Sequence, residues 1–292
     1  MSTALSPNGT AAQQPTDREF SFTQADFERV CRLIYARAGI RLNASKENMV
    51  YSRLARRLRA LGQSSFSAYL DGLERNPASP EWQEFVNALT TNLTAFFREA
   101  HHFPILADLL RTRRNEPEIT IWCCAASTGE EPYSIAMTAL DTLPTAASRV
   151  RVLATDIDTR VLEVARAGVY DAERVAQLDP GLRQRHFLRG RGAYEGKVRV
   201  KPELQAMVTF RRVNLLDERW DVRGGFDAIF CRNVMIYFDK PTQLRVLGKF
   251  LPLLKPGGLL FVGHSESLHH ARDLFVPRGK TVYARAIDER RI

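Results

Sequence analysis

Several stretches of this chain carry side chains whose types and order suit chemistry on a bound ligand. Trp122 to Ser134 (Trp-Cys-Cys-Ala-Ala-Ser-Thr-Gly-Glu-Glu-Pro-Tyr-Ser) leads from an apolar run through small residues into a helical pattern starting near Glu130. Small residues at a strand-to-helix turn let a ligand approach the backbone where doubly wound sheets bind ligands. An ordinary tight turn would use the same residues, and the stretch is neither G-x-G-x-x-G nor a Walker A loop. The next apolar run ends in Thr155-Asp156-Ile157-Asp158. A carboxylate there can accept hydrogen bonds from ribose hydroxyls or cap a helix; Asp158 is expected to cap, and Asp156 is open to either role. Phe226 to Phe238 releases Arg232, Asn233 and Tyr237 at the carboxyl end of a buried run, facing the same crevice.

The elements that must position these groups follow from hydrophobic periodicity. Ile119 to Ala125, Val150 to Thr155, Phe226 to Cys231 and Leu259 to Val262 are strand-like and alternate with helix-length segments. That alternation implies a mostly parallel sheet with helices on both faces, an α/β doubly wound domain. Lys255-Pro-Gly-Gly258 turns into the last of these strands. Glycines 190, 192 and 196 among basic, β-prone residues at about 185–201 suggest an inserted hairpin.

Ahead of the sheet, residues 21–91 read as a small all-helical domain. Thr23 with Asp26 resembles a capping box, and Gly39 is placed to end that first helix. A second helix is expected from Ser45 to Leu61 with Gly62 as its stop, and shorter ones at Ser65 to Arg75 and Pro80 to Thr91. The expected division is a flexible tail at 1–20, the helical domain, a linker with its own helix at 92–117, and the sheet domain with its insertion at 118–292.

Composition narrows the class of function. With 292 residues, 45% of them hydrophobic, and no apolar run near the ~20 residues a span requires, the chain reads as globular and not inserted in a membrane. The polar start lacks the basic and apolar regions of a secretion signal, which points to the cytoplasm. Cys31, Cys123, Cys124 and Cys231 match neither a disulfide framework nor zinc spacing and are expected as small core residues. A net charge of +9 favours an acidic partner: nucleic acid, anionic membrane or a carboxylate-bearing protein. His101-His102 has no carboxylate or cysteine at metal spacing by this reading, so no metal is expected.

Together the motifs resemble the chemotaxis receptor methyltransferases, the CheR family. The resemblance rests on Thr90-Thr-Asn-Leu-Thr-Ala-Phe-Phe-Arg-Glu99, Ser127-Thr-Gly-Glu-Glu-Pro-Tyr-Ser134, Cys231-Arg-Asn-Val-Met-Ile-Tyr-Phe238 and Gly263-His-Ser-Glu266, and spans Phe22 to Ala286. It implies a Rossmann-like class I methyltransferase sheet with a small antiparallel insertion, preceded by the all-helical domain. The implied cofactor is S-adenosyl-L-methionine, leaving S-adenosyl-L-homocysteine, and the implied acceptors are glutamates on cytoplasmic methylation helices of chemoreceptors. The implied cofactor residues are Asn92, Thr94, Arg98, Glu131, Asp156 for the ribose, Asn214 and Leu215 for the adenine, Arg232 and Asn233. Arg98 and Glu131 suit the carboxylate and ammonium of the methionine moiety. Arg98 and Tyr237 are the candidates for orienting the acceptor carboxylate, against plain cofactor binding and packing. In some members of the family the hairpin docks a receptor's C-terminal peptide, for which Arg189, Arg191, Lys197 and Arg199 are suited.

The second helix supplies a clue to the partner. Projected at about 3.6 residues per turn, Val50, Leu54, Leu58 and Leu61 share one face, and Lys46, Arg53 and Arg57 line up beside it, with Arg56 and Arg59 adjoining. Such a basic ridge suits an acidic receptor helix; a solvated face or phosphate contact would look alike. A nucleic-acid methyltransferase would also fit the charge, but predicts an Asn-Pro-Pro-Tyr motif or a cysteine placed for base attack, and neither is evident, so no nucleic acid is expected as partner. A non-catalytic cofactor sensor or receptor adaptor predicts loss of Arg98, Glu131 or Asp156, and all three are present.

Overall fold

The computed structural model describes residues 18–289. The expected tail at 1–20 lies outside that range except for its last three residues, which belong with the helical domain. Arg18 donates to Glu47 at 3.0 Å, and the Phe20 ring meets Phe66 edge-on at 6.3 Å.

Four helices build the first unit: α1 (Gln24–Ala38), α2 (Glu47–Leu61), α3 (Phe66–Arg75) and α4 (Glu81–Leu89). Their ends follow local chemistry. Thr23 and Asp26 exchange backbone and side-chain hydrogen bonds as a capping box, Ser65 caps α3, and Gly39 and Gly62 close α1 and α2 in the left-handed conformation that glycine adopts without strain. Val50, Leu54 and Leu58 are wholly buried against Ile34, Phe66, Leu70 and Phe85, whereas Leu61, expected on the same face, is exposed at the helix end.

The rest of the chain runs α5 (His102–Thr112), β1 (Ile119–Cys123), α6 (Glu130–Thr142), β2 (Val150–Asp156), α7 (Thr159–Ala167), β3 (Val169–Asp171), α8 (Pro180–His186), β4 (Phe187–Arg189), β5 (Lys197–Val200), α9 (Pro202–Gln205), β6 (Val208–Arg212), β7 (Phe226–Cys231), α10 (Lys240–Phe250), β8 (Leu254–Val262), β9 (Phe275–Pro277), β10 (Val282–Arg285) and α11 (Ala286–Glu289). Seven strands form one sheet in the order β6-β2-β1-β7-β8-β10-β9. The first five are parallel, and β10 runs antiparallel to both its neighbours. Side-chain alternation divides the core: Ile121 and Cys123 of β1 face the layer holding α5 and α6, while Trp122 and Cys124 face Phe250 and Leu247 of α10. Cys123, Cys124 and Cys231 are buried and reduced, as expected of small core residues.

The inserted sheet is larger than the hairpin expected at about 185–201. It has three antiparallel strands in the order β3-β5-β4, and β3, at 169–171, precedes the expected insertion. Three residues directly after a helix stop at Gly168 are too short to stand out by alternation.

Candidate active site

The chain reverses direction across the sheet at β1, whose neighbours β2 and β7 carry connections leading opposite ways. At the carboxyl ends of these strands lies a cleft of about 1260 Å³, counting the part open to solvent, closed from above by the helical domain. Asn92, Thr94, Arg98, Glu131, Asp156, Asn214, Leu215, Arg232, Asn233 and Tyr237 all line the cleft. Sequence reasoning missed the connection between α1 and α2, which contributes Ile40, Arg41, Leu42 and Asn43; its only signal was Gly39, where an added Cβ would lie 3.0 Å from the Phe238 ring.

Asp156 sits at the tip of β2 with 8% of its surface exposed. Its Oδ2 accepts from the Ser127 amide at 2.8 Å and its Oδ1 from the Asp158 amide at 2.9 Å. Burial pushes its carboxyl up to about 6, against the pull of those amides. Asp158 caps α7 as expected, and its second oxygen accepts from Thr90 Oγ1 at 2.6 Å and Asn92 Nδ2 at 2.8 Å, fastening the linker to the sheet. Gly129 opens α6 at φ 100°, where a Cβ would meet the Tyr170 hydroxyl at 2.7 Å. Only glycine lets this turn pass so close to its neighbours.

A buried charge network forms the other end. Glu131, in the first turn of α6, accepts from Arg232 Nη1 at 2.7 Å and from Cys123 Sγ at 3.2 Å. Burial raises the Glu131 carboxyl, and the Arg232 guanidinium opposes that rise. Arg232 also donates to the Arg98 carbonyl and lies 3.4 Å from Glu99 Oε2, while its buried Nε has no partner among the described residues. Arg98 donates to the Leu93 carbonyl at 2.8 Å. Asn233 takes φ 58°, with its amide held by Glu266 Oε2 at 2.9 Å. Gly263 must be glycine here, because a Cβ would fall 2.4 Å from Asn233 Nδ2. Glu266 therefore braces the turn that presents Asn233 and Tyr237, a structural use of Gly263-His-Ser-Glu266 that sequence reasoning missed although it had singled out the motif. Asn214 is committed by its side chain: Nδ2 donates to the Arg37 carbonyl at 2.8 Å and Oδ1 accepts from the Leu216 amide at 3.0 Å.

Glu99 corrects the reading of His101-His102. At φ 53° its chain turns so that its carboxylate and both rings bring three potential ligand atoms within 4.8 Å of one another. A carboxylate therefore does accompany the histidines, which spacing along a helix could not reveal. It is already engaged, by His264 Nδ1 at 2.9 Å, by Asn233 and by Arg232. Burial works against that charge, but the His264 and Arg232 contacts hold the Glu99 carboxyl down at about 2. Burial and the nearby Arg232 lower His102 to about 4, and its Nε2 faces the Lys280 carbonyl at 2.9 Å.

The basic ridge is divided. Arg53 donates to the Ala88 and Thr90 carbonyls, and Arg57 forks onto Glu81 with Glu84 nearby, so both hold α2 to α4. Arg59 pairs with Glu19 at 3.1 Å in an exposed contact. Arg56 and Lys46 are exposed, and Lys46 stands at the cleft.

The residues fit S-adenosylmethionine by the chemistry of the donor set: an acidic tip at the second strand suits hydroxyls, an acidic side chain at the first helix turn suits an ammonium, and the cleft-lining Arg232 suits a carboxylate. Comparison with known proteins agrees. Residues 25–90 match the family model "CheR methyltransferase, all-alpha domain" and residues 92–284 match "CheR methyltransferase, SAM binding domain". The chain is 57% identical to the chemotaxis protein methyltransferase of Escherichia coli K12, over 94% of this chain and 95% of that one. It is 54% identical to that of Salmonella typhimurium, over 99% and 100%, and 52% identical to chemotaxis protein methyltransferase 2 of Pseudomonas aeruginosa, over 96% and 100%. The chain belongs to the CheR methyltransferase family and is an S-adenosylmethionine-dependent methyltransferase of chemotaxis.

Proposed function

We propose that this enzyme works in the cytoplasm and methylates glutamate side chains on the cytoplasmic methylation helices of chemoreceptors, leaving γ-methyl esters and S-adenosylhomocysteine. The observation that carries the reading is a single cleft with Asp156 at one end, the Glu131–Arg232 pair at the other, and Arg98 and Tyr237 lining it under the basic helical domain. When bound, S-adenosylmethionine supplies a methyl group on a cationic sulfur. Asp156 accepts from the ribose hydroxyls, Glu131 faces the methionine ammonium, and Arg98 with Arg232 takes its carboxylate. Asn92, Thr94 and Asn233 complete that end, while Asn214 and Leu215 meet the adenine.

Arg98 and Tyr237 orient the acceptor. A glutamate carboxylate, with pKa about 4.3, is already an ionised nucleophile at neutral pH, so no general base is required. The gain comes from holding it in line and removing part of its water, for which the helical lid over the cleft is suited. Residues 21–91 then serve as the substrate-facing unit and 92–117 as the linker that carries Arg98. In docking, Arg56, Arg59 and Lys46 offer charge to an acidic receptor helix, while Arg53 and Arg57 keep α2 in place to present it. At the inserted sheet β4 is an edge strand, open to a receptor tail peptide beside Arg189 and Arg191; calorimetry with such a peptide at low salt should show binding, and silence would remove this part.

Incubating the chain with tritiated S-adenosylmethionine and purified receptor signalling domains tests the main reading. Label should enter the receptor and leave as volatile methanol in base. Label that resists base, or that enters RNA instead, would overturn it.

A further inference from the structure

Glu99 does not line the cleft, yet it ties together three segments that build it: its own linker and the turns after β7 and β8. Its Oε1 accepts from His264 Nδ1 at 2.9 Å and Asn233 Nδ2 at 3.3 Å; its Oε2 accepts from the His264 amide at 3.1 Å and faces Arg232 Nη2 at 3.4 Å. An ionised carboxylate offers about four acceptor positions, so none is left for a substrate, a metal ion or a travelling proton. Such a group only accepts, so His264 Nδ1 carries the ring proton and Nε2, 3.0 Å from Ser265 Oγ, is the acceptor. The Arg232 Nη2 that faces Glu99 also donates to the Arg98 carbonyl, while Nη1 donates to Glu131. The guanidinium is therefore gripped by the linker on one side and by α6 on the other. Phe97 and Glu99 both take φ 53°, a backbone conformation that glycine adopts freely and other residues adopt at a cost. Glycine at 99 would relieve that cost and leave Arg232, Asn233 and His264 without their acceptor. The rival role is purely structural, because the Glu99 carbonyl also accepts from the His102 amide at the start of α5.

We infer that Glu99 is a positioning residue for methyl transfer, setting Arg232 and Asn233 against the methionine end of the cofactor and holding the linker turn that carries Arg98 to the acceptor. His264 steadies Glu99 from outside the cleft. This rests on the proposed placement of cofactor and acceptor. Both arginines share one clamp, since Arg232 holds the Arg98 backbone and Glu99 faces the same nitrogen. Loosening the clamp therefore disturbs cofactor binding and the transfer step together. Receptor docking, carried by exposed residues of the helical domain, stays as it was.

The test uses the full chain and a purified receptor signalling domain. Glu99→Gln keeps the size of the side chain but turns an N–H group toward donors on one side. It should weaken S-adenosylhomocysteine about tenfold by calorimetry and lower kcat at saturating S-adenosylmethionine by a similar factor, with KM for the receptor unchanged. His264→Ala, at a side chain 66% exposed, should show the same signature at smaller size. His264→Asn, whose amide can donate from the place of Nδ1, should restore both affinity and kcat. Because His264 acts through Glu99, Glu99→Gln combined with His264→Ala should be no worse than Glu99→Gln alone. Lower stability in urea with unchanged affinity and kcat would make Glu99 merely structural and overturn the inference. Additive losses in the double variant, or a rise confined to receptor KM, would overturn it too. Should Glu99→Gln fail to fold, the two His264 variants decide: unchanged affinity and kcat in His264→Ala, or no restoration by His264→Asn, would count against the clamp. Absence of S-adenosylhomocysteine binding or of transfer by the unaltered chain would instead remove the reading of the cleft itself.

Discussion

The helical domain and the sheet domain both depend on arginines, and they use them in opposite ways. Arg57 joins Glu81 part-buried between α2 and α4, with about a sixth of each side chain exposed (16% and 17%), so that water still reaches the pair. Arg232 joins Glu131 with side-chain exposures of 1% and 9%, where neither charge can turn to solvent. A pair that water still reaches holds its charges less tightly, and here it fastens α2 to α4. A buried network fixes one geometry, and loss of a member leaves a stranded charge. Arg57 thus fastens helix to helix and leaves the exposed Arg56 and Lys46 to present charge, while the sheet domain holds its charges still around a ligand.

The sharpest way to break that contrast is to remove one arginine from each side. Arg232→Ala should cost about 3–5 kcal/mol in urea unfolding by stranding Glu131 and Glu99, and abolish S-adenosylhomocysteine binding. Next in size, Asp156→Ala should weaken S-adenosylhomocysteine about tenfold to a hundredfold by calorimetry, with unfolding still cooperative, because it removes charged hydrogen bonds to the ribose. Unchanged affinity would take the ribose away from Asp156.

The same carboxylate gives a pH signature. Its folded value lies at about 6, above the ordinary carboxylate range. Ribose hydroxyls donate to the ionised form, so affinity should be full above about pH 6 and fall below it, by at most about tenfold per pH unit. Asp156→Asn should flatten that dependence; a slope that persists in the variant would place the titrating group elsewhere. The smallest effect belongs to the helical domain: Arg57→Ala should cost only about 1 kcal/mol in the same unfolding experiment, and a loss as large as that of Arg232→Ala would erase the contrast between the domains.

How much of this was legible in the sequence follows the same division. Helix ends were readable because the chemistry is local: Thr23 and Asp26 satisfy each other, and Gly39 and Gly62 take a conformation other residues resist. The central strands were readable because buried parallel strands are continuously apolar. The edge strands β6 and β9 and the antiparallel β10 were not, being short and, in β6, ending in two exposed arginines. The cleft residues were found through motifs resembling a family, but their partners were not. Helical periodicity aligned Arg53 and Arg57 with Lys46, yet it reports the direction a side chain faces and not what it meets on α4. Glu99 and Glu266 were hidden for a related reason: their effect arises from left-handed turns at Glu99 and Asn233 that no local pattern announces.

The proposed division of labour gives the cofactor to one domain and the acceptor to the other. It is tested most directly by the double reversal Arg56→Glu with Arg59→Glu, measured for both S-adenosylhomocysteine affinity and methyl transfer to a receptor signalling domain. Affinity should be unchanged and kcat/KM for the receptor lowered at least tenfold at low salt, the loss shrinking as salt screens the ridge. Full transfer at low salt by the doubly reversed chain would contradict it.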